Sequence, residues 1–228
     1  MSQALLAVVI PALNESRRLP ALLADLGQAK GGLSRELVVV DGGSVDATAA
    51  VARLAGARLI RSEANRGRQL QVGVSQTTAP WLLLLHADTR LPLGWEGKVM
   101  RALQEPQASW YFDLGIASAG LSLRMLERAV ALRSRWRQLP YGDQGLLVPR
   151  VLLERCGGLR PWPLMEDLDL IQRLRAEGPV QALGATIQVN GRRWMRHGVL
   201  GTAWRNAQLR RAWRRGCSPE QLAQRYYG

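Results

Sequence analysis

The chain has 228 residues, 47% of them hydrophobic and 21% charged, which allows one sizeable core and excludes wholesale disorder. Its two cysteines, Cys156 and Cys217, are too few for a disulfide framework or a cysteine-based metal cluster, so a reducing compartment is expected. Basic residues outnumber acidic ones 31 to 18, and the net charge of +13 suits nucleic acid, an anionic membrane surface or a phosphorylated substrate.

The start of the chain, Met1 to Ala4, lacks the positive stretch of a signal peptide. The longest apolar runs, residues 4–13 and 79–85, are too short to cross a bilayer. These two features predict a cytoplasmic protein.

Residues 5–90 alternate short apolar runs with amphipathic segments, which predicts a parallel sheet with crossover helices. In such open sheets, ligands bind beyond the carboxyl ends of the strands, and Asn14, Asp41 and Asp88 all follow such ends. The predicted strands are 5–10, 36–40, 58–61 and 81–85, and the predicted helices are 15–28, 45–55 and 67–76.

The second half of the chain has a less regular pattern. We predict a strand at 110–113, a turn that leads into a strand over 142–148, and two short strands, 180–183 and 186–189, that pair with each other. Helices are predicted at 121–137 and 166–177, followed by a basic helix at 199–215 and a last turn near 219–226. No linker or repeat divides the chain, so one domain spanning 1–228 is expected.

A proline and two polar residues follow the first strand in the segment Pro11-Ala12-Leu13-Asn14-Glu15. Pro11 is expected to end the strand, and Asn14 to cap a helix that Glu15 opens. A strand end and a helix cap would explain this segment without any ligand. The turn lacks the Gly-x-Gly-x-x-Gly pattern, which argues against a dinucleotide-binding protein.

The second strand is followed by Asp41-Gly42-Gly43-Ser44 and then by Val45-Asp46-Ala47-Thr48. The two glycines allow the backbone to approach a ligand closely, and Ser44 suits an N-cap of the next helix. Asp41 at the strand tip can accept a hydrogen bond from the edge of a base.

Together, segments 8–15 and 38–48 resemble the nucleotide-binding half of family-2 glycosyltransferases with the GT-A fold. The resemblance implies a single α/β domain with a Rossmann-like, mixed, mostly parallel sheet flanked by helices. Residues 1–90 would form its nucleotide-binding half, and 91–228 an acceptor-side half. It also implies that the donor, a UDP-sugar, contacts Pro11, Ala12, Asn14, Glu15, Asp41, Gly43 and Ser44.

The segment Asn65-Arg66-Gly67 follows the Asn-x-Gly pattern of that family at the start of the third helix. A helix N-terminus beside an arginine is an anion site, so Arg66, Gly67 and Gln71 are expected to contact the donor. The alternative is a solvated basic turn.

His86-Ala87-Asp88 stands where the family carries its Asp-x-Asp metal motif. By this resemblance Asp88 would bind Mg²⁺ or Mn²⁺ together with the donor diphosphate, whose charge the cation neutralises. His86 departs from the family pattern, and imidazole suits a hard cation poorly. We therefore interpret His86 and Ala87 as nucleotide contacts; the alternative for Asp88 is a helix cap.

Carboxylates open the helix predicted at 166–177, in the segment Glu166-Asp167-Leu168-Asp169. The family has a Glu-Asp pair on such a helix, with the aspartate as catalytic base. Inverting transfer needs one carboxylate to take the proton of the acceptor hydroxyl. Asp167 is the candidate base and Glu166 the alternative, while the preference of acidic residues for helix N-termini explains only part of the pattern.

Gly191-Arg192-Arg193-Trp194 and the turn Gly142-Asp143-Gln144 resemble the small, arsenosugar-biosynthesis-type branch of the family. Arg192 and Arg193 would brace the diphosphate, and Trp194 would stack on a sugar. His197 is a further candidate metal ligand. The basic helix after it either packs on the domain or contacts the inner membrane face.

The leading hypothesis is thus a metal-dependent, inverting glycosyltransferase that uses a nucleotide-sugar donor. The alternative is a basic protein that binds nucleic acid or a membrane surface without transferase activity; of these partners, nucleic acid is not favoured. A nucleotidyltransferase would need a glycine-rich loop with Arg and Lys after the first strand, and this chain has neither.

Overall fold

A computed structural model describes residues 4–28, 33, 35–191, 194 and 198–227. A one-turn 3₁₀ helix spans Gly142–Gln144. The strands are β1 Leu6–Ala12, β2 Arg35–Asp41, β3 Arg58–Arg61, β4 Trp81–Leu84, β5 Ser109–Ile116, β6 Leu146–Pro149 and β7 Val180–Val189. The helices are α1 Leu19–Gly27, α2 Thr48–Leu54, α3 Arg66–Ser75, α4 Trp95–Ala102, α5 Leu121–Arg137, α6 Arg150–Arg155, α7 Glu166–Glu177, α8 Val199–Arg214 and α9 Pro219–Tyr227.

The strands form one sheet in the order β3-β2-β1-β4-β6-β5-β7. β6 runs antiparallel to both of its neighbours, and the other pairs are parallel. This architecture confirms the predicted α/β fold with a mixed, mostly parallel sheet. Because β1 lies between β2 and β4, the strand order reverses there, and a crevice opens beyond the carboxyl ends of these strands.

Two apolar layers cover the sheet, and alternate residues of β1 enter opposite layers. Leu6, Val8 and Ile10 lie with residues of α1 and α4, whereas Ala7 and Val9 lie with residues of α3, α6 and α7. All five side chains are completely buried. The burial on both faces explains why the central strands read as continuous apolar runs.

The start of the chain differs from the prediction in two respects. β1 continues through Pro11 to Ala12, paired with β2 alone because its pairing with β4 ends at Val9. α1 begins at Leu19 and not at Glu15: residues 16–18 form a turn in which the N–H groups of Arg18 and Leu19 both donate to the Glu15 carbonyl, and Asn14 has a left-handed backbone (φ 55°). The predictions that Pro11 ends the strand and that Asn14 caps a helix are therefore wrong.

The end of the sheet also differs from the prediction. Residues 180–183 and 186–189 do not pair with each other; they form one strand, β7, which runs parallel to β5. A bulge separates the two halves, since Tyr111 pairs with Ala182 but Asp113 pairs with Thr186. The bulge breaks the period of alternation, and the sequence pattern therefore reads as two strands.

The C-terminal helices pack on the domain. Leu209 of α8 and Leu222 of α9 are buried with Leu164, Met165 and Leu168 around the start of α7. Among the helices that the structure describes, none has the length and apolar character needed to cross a membrane. The sequence left open whether the basic helix packs on the domain or contacts a membrane. In the structure, the apolar side of α8 packs on the domain.

Candidate active site

The loops that follow β1 and β2 are joined by hydrogen bonds at the crevice. The backbone N–H of Asn14 donates to Ser44 Oγ (2.9 Å), and Asn14 Oδ1 accepts from the N–H of Val45 (3.0 Å). The N–H of Glu15 donates to Thr48 Oγ1 (2.8 Å). Ser44 is therefore no N-cap, since α2 begins only at Thr48. The structure brings these predicted donor contacts together as one surface.

Asp41 ends β2 as a buried carboxylate beneath this surface. Its Oδ1 accepts the N–H of Ser44 at 3.0 Å, which closes the turn around Gly43. Gly43 has φ +88°, and the position that a Cβ would occupy there is open space, so its backbone is accessible. The Glu15 carboxylate is bonded to Arg18 Nη1 at 2.6 Å.

Three other predicted donor contacts have buried side chains. Pro11 and Ala12 lie within β1, and the carbonyl of Ala12 accepts from Gly42 N (2.9 Å) and from Gln69 Nε2 (3.0 Å). The side chain of Ala87 lies in the apolar core. Because these three side chains are buried, only the backbone of these residues could contact a donor, and the three contacts stay predictions.

Gln69 of α3 joins the ends of β1 and β2 and was not singled out from the sequence. Its Nε2 donates to the carbonyls of Ala12 and Val40, the latter at 2.7 Å. The side chain is 4% exposed. A glutamine in a helix carries no sequence signal for this role, because its partners are backbone atoms of two other elements.

The expected anion site at the N-terminus of α3 is occupied by protein. Gly67 N donates to Trp162 O (3.1 Å), Arg68 N donates to the Asn65 side chain (3.0 Å), and Gln71 Nε2 donates to Leu159 O (3.1 Å). These groups are used in contacts within the protein, and donor contact by Gly67 and Gln71 stays a prediction. Gly67 and Gln71 attach segment 159–162 to α3.

Arg66, at the first position of α3, connects the two halves of the site. Its Nε donates to Glu166 Oε1, its Nη2 lies 4.0 Å from Asp167 Oδ1, and its Nη1 lies 3.5 Å from His86 Nε2. Three residues that the sequence predicted separately, His86, Glu166 and Asp167, thus surround one guanidinium group.

Asp167 is held by backbone N–H groups. Its Oδ2 accepts from Gly142 N and its Oδ1 from Leu168 N, both at 2.8 Å. Burial raises the pKa of Asp167, but Arg66 and these two hydrogen bonds outweigh it, so the pKa lies below the ordinary value. The group is therefore an ionised carboxylate at neutral pH. A Cβ at Gly142 would lie 3.1 Å from both Asp167 Oδ2 and His86 Nε2, so this close approach favours glycine.

Glu166 has a different environment from its neighbour. Its side chain is 1% exposed and Oε1 is bonded to Arg66, while Oε2 has no hydrogen-bond partner in the part of the chain that the structure describes. Burial raises the pKa of Glu166, and the charge of Arg66 opposes that rise. Glu166 thus anchors Arg66 from inside the domain.

His86 is a neutral imidazole. Burial and, secondarily, the charge of Arg66 lower its pKa to about 4. Because Nε2 faces a guanidinium donor, the proton of the neutral ring belongs on Nδ1. The same guanidinium leaves no favourable place for a cation at Nε2, which agrees with the interpretation that His86 is not a metal ligand.

A pocket of about 250 Å³ adjoins these groups. Asp88 and Asp167 both line it, as does Trp194, which also packs on the cluster of Leu114 and Ile116. The pocket also has lining residues that the sequence did not single out as functional: Tyr141, Asn190, Asn206, Arg210 and Tyr226. Arg192, Arg193 and His197, predicted as diphosphate or metal contacts, lie outside the described residues.

The donor set around Asp88 fits a metal that the substrate helps to bind. Among the described residues, no group of three His, Cys, Asp or Glu side chains could hold a metal by itself. Mg²⁺ and Mn²⁺ in phosphate-binding enzymes take one or two carboxylates and fill the other positions with phosphate oxygens and water. Asp88, half-buried at the pocket wall, could supply such a carboxylate.

Comparison with known families gives one match over most of the sheet. The model of "Glycosyl transferase family 2" matches residues 7–146. Among curated proteins, the PGL/p-HBAD biosynthesis glycosyltransferases of Mycobacterium bovis (strain BCG / Pasteur 1173P2) and Mycobacterium tuberculosis (strain ATCC 25618 / H37Rv) are 37% identical over 98 residues. These residues make up 40% of this chain and 38% of each relative, so the match spans well under half of their length.

Solved structures share the fold at low sequence identity. S. aureus TarS 1–349 has a TM-score of 0.67 at 14% sequence identity, and the match covers 82% of this chain and 60% of that one. The complex of TarS 1–349 with UDP-GlcNAc has a TM-score of 0.64 at 14% sequence identity, and the match covers 81% of this chain and 58% of that one. Glucosyl-3-phosphoglycerate synthase from Mycobacterium tuberculosis, solved with Mn²⁺, UDP and phosphoglyceric acid, has 0.54 at 21%, over 78% and 68%.

Proposed function

The chain belongs to glycosyl transferase family 2, and we propose that it is an inverting, metal-dependent enzyme that uses a UDP-sugar as donor. The family match and the shared fold identify it as a glycosyltransferase with the GT-A fold. The acceptor in our proposal is a hydroxyl compound. A basic binding protein without transferase activity is not favoured.

One observation carries the proposal: Asp88 and Asp167 line the same pocket although they lie far apart in the chain. Asp88 follows β4, and Asp167 is the second residue of α7. A metal-held diphosphate at the first and a base at the second would lie on opposite sides of a sugar. That is the arrangement that direct displacement at the anomeric carbon requires.

Asp167 is better placed than Glu166 to act as the base. It faces the pocket and is ionised, whereas Glu166 does not line this pocket and is bonded to Arg66. In the proposed step the acceptor oxygen bonds to the anomeric carbon as its proton passes to Asp167. The bond between that carbon and the diphosphate breaks in the same step, and UDP leaves with the electron pair.

Asp88 would hold Mg²⁺ or Mn²⁺ together with the diphosphate oxygens, and such a cation neutralises the charge on the leaving group. The Mn²⁺ and UDP in the related synthase structure support this assignment. His86 and Arg66 lie beside the same position and would contact the donor as a neutral ring and a cation.

The surface formed by Asn14, Glu15, Asp41, Gly43 and Ser44 would hold the nucleoside. It lies at the ends of β1 and β2, next to the end of β4 where Asp88 follows. TarS structures with UDP and with UDP-GlcNAc support a uridine donor.

Thermal unfolding in the presence of nucleotides tests the proposal. UDP with Mn²⁺ at about 100 times its Kd should raise Tm by about 5–10 °C, because ligand binding adds about 2.7 kcal/mol to stability. UDP without metal should give a smaller shift. Asp88→Asn should lose the metal-dependent part, whereas Glu154→Gln, which removes an exposed carboxylate of α6, should keep it.

GDP and ADP serve as specificity controls in this experiment. A chain whose Tm responds to none of the three nucleotides, with or without metal, does not have the proposed donor site. A full shift in the Asp88→Asn variant would place the metal elsewhere.

A further inference from the structure

One face of α5 exposes a row of large apolar side chains. Leu121, Met125, Leu132 and Trp136 are 79%, 62%, 66% and 79% exposed. Their spacing places them in one narrow stripe along the helix, about 22 Å long. We call this stripe the α5 face.

The orientation of α5 is determined by its opposite side. Leu123, Val130 and Ser134 are buried, and Leu123 and Val130 pack with Leu114 and Ile116 of β5. The α5 face therefore points away from the domain. An exposed apolar row of this length, interrupted by Arg128 between Met125 and Leu132, indicates an interaction surface rather than scattered exposed residues.

Arginines accompany the α5 face and carboxylates do not. Among the described residues, neither Arg128 nor Arg137 forms an ion pair with a carboxylate. The one acidic residue of α5, Glu127, is bonded to Arg124 (2.8 Å) and accepts the N–H of Ile116 (2.6 Å). The surface thus combines apolar side chains with net positive charge.

We propose that the α5 face docks on an anionic lipid surface. Apolar side chains enter the boundary between head groups and acyl chains, arginines pair with lipid phosphates, and tryptophan favours that boundary. A second copy of the chain fits less well, because a two-fold contact would bring the arginines of both copies together, each on a molecule with a charge of +13.

This assignment differs from the one that the sequence suggests for the C-terminal helix. Leu209 and Trp213 of α8 pack with the start of α7 inside the domain, so the apolar side of α8 is largely used. Among the side chains of α8 that the structure describes, one large apolar side chain is exposed, Trp204 (65%), so the exposed arginines Arg211 and Arg214 have no row of four beside them as on α5. The combination that lipid binding needs is found on α5.

The end of α5 and the active-site pocket are near each other in the sequence. A short segment joins Trp136, at the end of α5, to Tyr141, which lines the pocket. The docking itself does not depend on the proposed donor or mechanism.

Vesicle flotation of the full chain tests this proposal. We expect binding to vesicles of phosphatidylcholine with about one third phosphatidylglycerol, and little binding to phosphatidylcholine alone. Leu132→Gln with Trp136→Gln should lower the apparent affinity about tenfold or more, since the stripe supplies the apolar area. Arg128→Glu should weaken binding and reduce its sensitivity to salt.

Matched variants elsewhere separate the α5 face from general effects. Leu54→Gln on α2 (89% exposed) and Leu93→Gln (96% exposed) remove leucines even more exposed than Leu132 and should leave binding unchanged. Arg211→Glu tests the C-terminal helix. Tm should be alike in all variants, because every changed side chain is exposed.

The remaining outcomes overturn the proposal. Binding that survives the α5 double change but fails with Arg211→Glu would assign lipid contact to α8. If the chain binds neither vesicle type, and sedimentation velocity shows a dimer that the α5 double change dissociates, then the partner of the α5 face is a second copy of the chain. A monomer that binds neither vesicle would also contradict lipid docking.

Discussion

Adjacent carboxylates at the start of α7 have opposite electrostatic environments. Asp167 faces the pocket with backbone N–H groups on both oxygens, and its pKa is lowered. Glu166 points inward to Arg66, and its pKa is raised by burial. Met165, with φ +67°, turns the backbone immediately before them. Such local backbone strain is often found at functional sites.

The role proposed for Asp167 predicts a separation of binding from turnover. Asp167→Asn should lower transfer by about 100-fold or more, because the amide cannot accept the proton of the acceptor hydroxyl. The metal-dependent Tm shift with UDP should persist. UDP release from the donor and Tm are the two measurements. Turnover near that of the unchanged enzyme would show that another group is the base.

The buried contact between Arg66 and Glu166 predicts a large stability effect. Glu166→Gln should destabilise the fold by about 3 kcal/mol in urea unfolding, because the change leaves the partly buried guanidinium with a neutral partner. Glu63→Gln is the matched control: Glu63 is 78% exposed and 3.9 Å from Arg68, so an effect below about 1 kcal/mol is expected. Equal effects would mean that burial of the pair contributes little.

Among the contacts between whole elements, segment 159–162 packs on the first turns of α3. Through Gly67 and Gln71, this contact holds α3 and the segment that leads to α7 together. The relative positions of Arg66 and Glu166 depend on it. The active site is therefore built on a helix–segment contact as well as on strand ends.

Gly67→Ala should disrupt that contact. A Cβ there would come within 2.5–2.6 Å of backbone atoms of Arg160 and Trp162, and we expect a loss of about 2 kcal/mol or more. Gly97→Ala in α4 meets nothing within 4 Å and should stabilise by roughly 0.5–1 kcal/mol. Urea midpoints measure both. Stabilisation by both changes would mean that segment 159–162 moves aside at little cost.

The whole molecule carries a net charge of +13, so its folded state should be under self-repulsion. Raising NaCl from 10 to 300 mM shortens the screening length from about 30 Å to below about 8 Å. We expect Tm to rise by a few degrees, to the same extent in KCl. A fall in Tm would mean that local ion pairs outweigh the net repulsion.

The sequence alone predicted the elements whose pattern is local. Continuous apolar runs identified the strands of the central sheet and placed Asp41 and Asp88 near strand ends; in the structure Asp41 is the last residue of β2 and Asp88 follows β4. The branch of the family and the role of each site residue stay predictions. The bulge in β7 was missed, since it interrupts the alternation on which strand prediction depends.

Only the tertiary structure decided which distant groups meet. Glu166 and Asp167 look alike in the sequence, and their difference arises from Arg66, one hundred positions earlier, and from the N–H of Gly142. The role of Gln69 and the exposure of the α5 face likewise depend on neighbouring elements. The physical reason is that periodicity records which side of an element is buried, whereas its partner is determined by strand order and helix packing.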